Sequence, residues 1–254
     1  MLFTDSTFIG VDLSPSHKSF AYAALDKNLN LIALEDGEME EVTAFLSGQQ
    51  RATVAINAPA GVNRGLASEK AKRELLTPRK IRGAELRLAE FELRQRGISV
   101  AGTPSTVGLC AAWIQLGFNL YRKLEKAGFK KFPQEESASH QFLETHPHAC
   151  FSVMAGSVPL LASSLEGKLQ RQLLLYERGV RIKDPMDFFE EITRHKIMKG
   201  ILPLDLLYQP ERLNALAAAY TSWLAVHKPG QIVFIGDTRE GQIVLPVAEL
   251  KEKY

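Results

Sequence analysis

The chain has 254 residues, 45% hydrophobic and 24% charged, with a formal net charge of +2. That is enough apolar material for one large or two small cores, and the near-neutral balance selects no partner. The two cysteines, Cys110 and Cys150, exclude a disulfide framework and a metal knuckle, and no run of ~18 apolar residues exists to span a membrane. No charged stretch followed by an apolar segment opens the chain, so no secretory signal is expected. The expectation is a reduced, cytoplasmic protein with no membrane partner.

Charge is unevenly spread. Between Glu69 and Arg96 nine Lys and Arg face five acids, and between Arg122 and Lys131 five bases face Glu125 alone. Such patches either contact phosphates or form solvated helix faces.

In chain order, Thr7–Leu13 reads as a buried strand that ends in an acid, Asp12. An unpaired carboxylate is costly to bury, so Asp12 belongs at the strand's carboxyl end, facing a crevice, or in a turn before Ser14-Pro15. Lys18–Leu25 and Leu29–Leu34 are predicted to complete an antiparallel meander around the turn Asp26-Lys27-Asn28. Glu38–Ser47 has helical spacing, and Thr53–Ile56 is a short strand followed by Asn57-Ala58-Pro59. Strand, crossover helix and strand predict parallel pairing, which would set Asn57 beside Asp12.

Gly65–Gly83 reads as a polar, basic excursion rather than core. Ala84–Arg96 is predicted as an amphipathic helix, Ile98–Ala101 as a strand and Thr106–Lys126 as a long helix. Phe129–His140 has no strong period. Phe142–Pro147 repeats the opening pattern, apolar residues running into an acid, Glu144, before a proline. Helices are predicted from His148 to Ala155, Leu165 to Arg178, Met186 to Met198 and Pro210 to Val226. The last carries Asn214 one turn in, either as a local hydrogen bonder or pointing into a cleft. Gln231–Gly236 and Gln242–Val247 flank Asp237–Gly241 as a closing hairpin.

Several stretches together resemble the domain-of-unknown-function family numbered 429, read as nucleases of ribonuclease-H-like fold. They are GVDLS (Gly10–Ser14), INAPAG (Ile56–Gly61), ELRQRGISVAGTPS (Glu92–Ser105), LETHPHACFSVMAG (Leu143–Gly156), NALAAAYTSWLA (Asn214–Ala225) and EGQIVLP (Glu240–Pro246). The resemblance implies an α/β fold, a ribonuclease-H-like mixed sheet of antiparallel meander plus parallel strands, with helices on both faces. It implies a single domain over 1–254, with helical insertions around 62–140 and 148–208. It also implies an acidic cluster in which Asp12 and Glu144 match the family's carboxylates, while Asn57 and Asn214 stand where the family usually has Asp.

On that resemblance the expected function is a metal-dependent nuclease that hydrolyses RNA or DNA. Asp12, Asn57, Glu144 and Asn214 would hold Mg²⁺ or Mn²⁺, and Asp12, Glu144 and His146 would be catalytic. Ser14 and Lys18 would reach an anionic substrate. Two Asn in place of Asp lower the formal charge of a four-acid site and weaken its pull on a cation. A non-catalytic nucleic-acid or protein binder on the same scaffold is therefore the alternative. A third reading is an ATP-dependent phosphotransferase of the sugar-kinase and actin superfamily, which the stretch from Gly10 to Asp26 resembles. Gly236-Asp237-Thr238 is a poor substitute for that group's second phosphate loop.

Overall fold

A computed structural model describes residues 6–13, 19–74, 83, 85–133 and 139–254, with 71, 73 and 74 described through their backbone alone. Strands β1 (Thr7–Asp12), β2 (Phe20–Leu25) and β3 (Leu31–Gly37) form the expected meander. Helix α1 (Met39–Ser47) crosses over to β4 (Ala52–Asn57), which pairs parallel with β1. Helices α2 (Leu66–Glu74), α3 (Leu88–Gln95) and α4 (Ala112–Lys126) precede β5 (Lys130–Lys131) and β6 (His140–Thr145). Helices α5 (Pro147–Ala155), α6 (Leu165–Glu177), α7 (Asp187–Glu190), α8 (Arg194–Met198) and α9 (Pro210–His227) follow, and β7 (Val233–Asp237) and β8 (Gly241–Leu245) close the chain.

The sheet runs β3-β2-β1-β4-β6-β8-β7, with β5 added beside β6. It mixes parallel and antiparallel pairs and carries helices on both faces, consistent with the ribonuclease-H-like arrangement expected. Side chains alternate along each strand, so the two faces build two cores. Ile9, Val11, Val54, Ile56 and Phe142 pack with Leu120, Tyr121 and Leu124 of α4 and Val42 and Leu46 of α1. Phe8, Ala55 and Leu143 pack on the other face with α5 and α9.

Helix α9 is buried along most of its length, and its alanines lie directly on β1. A Cβ at Gly10 would run into the Ala215 carbonyl and the Ala219 amide. Helix backbone therefore rests on strand backbone at that point.

Four expected elements differ. The polar excursion after Gly65 contains α2, because Glu240 caps its start from across the chain. Ile98–Ala101 is buried in part but belongs to no strand, and the side chain of Arg94 takes the Val100 carbonyl instead. The helix expected from Thr106 is a 3-10 turn at Val107–Leu109 followed by α4. The helix expected over Met186–Met198 is two short ones, because Thr193 caps a fresh start by accepting from the Lys196 amide.

Gly10→Ala should cost about 3 kcal/mol or more, since the added methyl meets backbone that cannot turn aside. Gly108→Ala, where nothing lies within 4 Å, should leave stability unchanged. Urea unfolding midpoints of the two variants check this.

Candidate functional site

The register of β1 against β4 pairs Asp12 with Asn57 at the carboxyl ends of two parallel strands. Their side chains point to the α9 face, as the contact at Gly10 on the same side of β1 requires. The Asn57 amide donates from Nδ2 to Asp12 Oδ1, and Asn214 of α9 donates to Oδ2 at 3.4 Å. Three of the expected residues thus meet. Asp12 is 1% exposed. Burial lifts its pKa to about 7, the two amides pull it back only in part, and Glu211 adds a further upward push.

Glu144 does not join them. It pairs in register with Ile56 and shares its face with Phe142, whose ring lies 5.3 Å from that of Tyr121 on α4. Asp12 and Glu144 therefore project from opposite faces of the sheet. Expected as a second metal-binding carboxylate, Glu144 is instead committed to Arg87, which grips it at 2.6 and 3.1 Å through two nitrogens. The Ala60 amide completes its shell at 2.8 Å.

Arg87 is the residue that sequence reasoning missed. It sits at the start of α3, 1% exposed, and its Nε reaches Glu90 at 2.7 Å. Burial acts against its charge, but Glu144 and Glu90 outweigh that and hold its pKa above the ordinary arginine value. Glu90 also accepts from the Thr103 amide at 3.0 Å and from the Thr103 hydroxyl. Glu240 is buried nearby. It takes the amides of Arg64 and Leu66 on one oxygen and that of Leu88 on the other, so one carboxylate serves the starts of α2 and α3. Gly61 and Gly241 give this cluster room, because a Cβ at either would strike Glu240 or Glu144. In the sequence Arg87 looked like part of a basic patch. The signal was its setting between Leu86, Leu88 and Ala89, with Glu90 three residues on.

His146 caps α5, its Nδ1 accepting from the Ala149 amide at 3.2 Å. Burial, with His148 and Arg87 adding to it, lowers its pKa to about 4, so it is neutral near pH 7. A cavity of about 30 Å³ touches Asn57, Glu144 and His146 together. That is room for about one water and far too little for a nucleotide. Ser14 and Lys18 lie outside the described residues.

Of the second basic patch, Arg122, Lys126 and Lys130 are exposed. Gly236 packs on Ala89 of α3, which accounts for that glycine without a bound phosphate.

Among the described residues no group of three or more His, Cys, Asp or Glu side chains is gathered to hold a metal. A pair of cations shared between carboxylates does not fit, because among the described residues the Asp12–Asn57–Asn214 cluster holds one carboxylate. One hard cation fits better. Such ions are often held by one or two carboxylates with waters completing the shell, and either amide can turn over to offer its carbonyl oxygen.

Fold and site together define a mixed-sheet α/β protein with a buried carboxylate–amide centre where two parallel strands end. The chain belongs to the family described as a protein of unknown function, DUF429, which matches residues 10–240. No curated protein and no solved structure matches it. Among the described residues no helix is long and apolar enough to cross a membrane.

Two measurements probe the two buried acids. The folded pKa of Asp12 lies above its unfolded value of 3.8. The folded state thus keeps a proton that the unfolded state has released. Its stabilising effect is whole below about pH 4, fades as pH rises toward 7 and is gone above that. In EDTA, Asp12→Asn should melt roughly 5–10 °C above the parent at pH 8 and converge with it near pH 4. Arg87→Met strands Glu144 and Glu90 and should cost about 3–5 kcal/mol, whereas adding Glu144→Gln to it should restore part of that loss.

Proposed function

We propose that the protein is a divalent-cation-dependent phosphodiester hydrolase acting on nucleic acid, with its centre at Asp12, Asn57 and Asn214. One observation carries the reading. Of two buried carboxylates near the carboxyl ends of β1 and β6, Glu144 has a guanidinium, whereas among the described residues the partners of Asp12 are amides and a nearby acid. A buried anion without a cation is costly to keep, and such groups mark functional sites more often than structural ones.

Asp12, Asn57 and Asn214 would hold one Mg²⁺ or Mn²⁺, which would polarise a phosphoryl oxygen and acidify a water. Asp12 supplies the single negative charge. The two amides fix its orientation from either side, one on each oxygen. The apolar packing of α9 on β1 keeps bulk water from its buried side. Glu144 acts at one remove, tying the Ala60 loop that follows Asn57 to Arg87. His146 carries no charge near neutral pH and keeps its Nδ1 on the helix cap, so it stands outside the reacting groups.

A second reading has support from the same contacts. Both oxygens of Asp12 are already satisfied by amide donors, as they would be in a binder that cuts nothing.

Labelled single-stranded, duplex and hybrid substrates incubated with Mn²⁺ test the proposal. The expected result is cleavage that Asp12→Ala lowers by about a hundredfold or more. Asn57→Asp with Asn214→Asp should raise the rate and tighten the cation requirement. If the parent is silent and the double variant cuts, the protein is a binder on a disabled nuclease site. Cleavage indifferent to Asp12→Ala would end the hydrolase reading.

A further inference from the structure

Beside the Asp12 centre lies a cavity of about 450 Å³, within the usual range of small-molecule sites. The sheet register explains its position. Asn57 pairs with Asp12, Asp12 with Ala21 and Ala21 with Asp36, so the four form one transverse row over β4, β1, β2 and β3. Paired residues share a face, and Arg212 of α9 meets Asp36 on it at 2.8 Å. Ala21 is the small member of the row and lines the cavity together with Asp36. Glu211 lines it as well, and Ala21 is the register partner of Asp12, so the cavity adjoins the centre.

The charges in the cavity select a ligand. Among the described residues Asp36, Asp205 and Glu211 oppose Lys183 and Arg212, leaving no positive excess to hold a run of phosphates. Carboxylates accept hydrogen bonds from sugar hydroxyls, as acidic residues do with ribose in dinucleotide sites. Tyr208 offers a ring for a base, with the ammonium of Lys183 5.9 Å from its centre. We infer that this cavity takes one ribonucleoside unit of an RNA strand whose adjoining phosphate reaches Asp12. This rests on the hydrolase reading above. DNA lacks the 2′-hydroxyl that the carboxylates would accept from.

The test separates binding from cleavage. Asp12→Asn protein in EDTA, which removes the proposed reaction, is titrated into fluorescent oligouridylate and oligodeoxyuridylate of equal length. Anisotropy should show the RNA bound about tenfold more tightly. Asp36→Ala or Glu211→Gln should remove most of that preference, and Tyr208→Ala should weaken both ligands. Circular dichroism melts confirm that each variant is folded. Equal affinity for RNA and DNA, or a preference untouched by both acidic variants, overturns the inference. A preserved RNA preference in a protein that never cuts supports the pocket and removes the hydrolase. Cleavage by the parent together with equal RNA and DNA binding removes the pocket and leaves the hydrolase.

Discussion

The close seat of α9 on β1 governs the arrangement of the site. Gly10 has no side chain, and the helix facing it is built from alanines at 215 and 217–219, all fully buried. Small residues on both partners let two backbones touch, which fixes the helix along and about its axis. Asp12 is two residues beyond Gly10 on the same face of the strand. Asn214 directly precedes the alanine that meets Gly10. The contact between amide and carboxylate is therefore set by a packing constraint that contains no polar group.

Strand alternation imposes the second constraint. Asp12 and Asn57 end their strands and Glu144 lies one residue before the end of β6, yet a sequence pattern treats the three alike. One residue of register sends Glu144 to the opposite face, because its partner on β4 is Ile56 rather than Asn57. What was legible in the sequence was local or nearly so. The first strand, the crossover to β4, the pairing of Asn57 with Asp12, α9 and the closing hairpin all follow from short-range pattern. The face of Glu144 depends on a pairing between residues almost ninety positions apart, and no local spacing encodes it. For the same reason Arg87 passed for surface charge. Its two acids are a near neighbour, Glu90, and a distant one, Glu144.

The buried cluster around Arg87 also explains how α2 and α3 are anchored. Residues 61–105 have few apolar side chains to bury between Gly61 and Gly83, yet α2 and α3 both begin on the carboxylate of Glu240, and Thr103 returns to Glu90. Here the organising force is hydrogen bonding to buried charge, which acts only once every partner is present. Gly61 and Gly241 belong to this system, since Gly61 lets backbone approach the backbone of Glu240 and Gly241 lets it approach the carboxylate of Glu144.

Two acids, both buried, are thus treated in opposite ways by the same fold. The charge of Glu144 is matched, and its burial is offset by a guanidinium and a backbone amide. That of Asp12 is steadied by two dipoles while Glu211 repels it. Amides preserve the shape of a site but contribute no net charge, so among the described residues no cation offsets the charge of Asp12. A site of that kind binds a proton more readily than an exposed carboxylate does. The repulsion from Glu211 that favours a proton there also favours a small hard cation, and the two compete for the same oxygens. Packing against α9 cannot offset this cost, because it adds no charge. The cost persists in a strand buried along its whole length, and it is this contrast that singles Asp12 out.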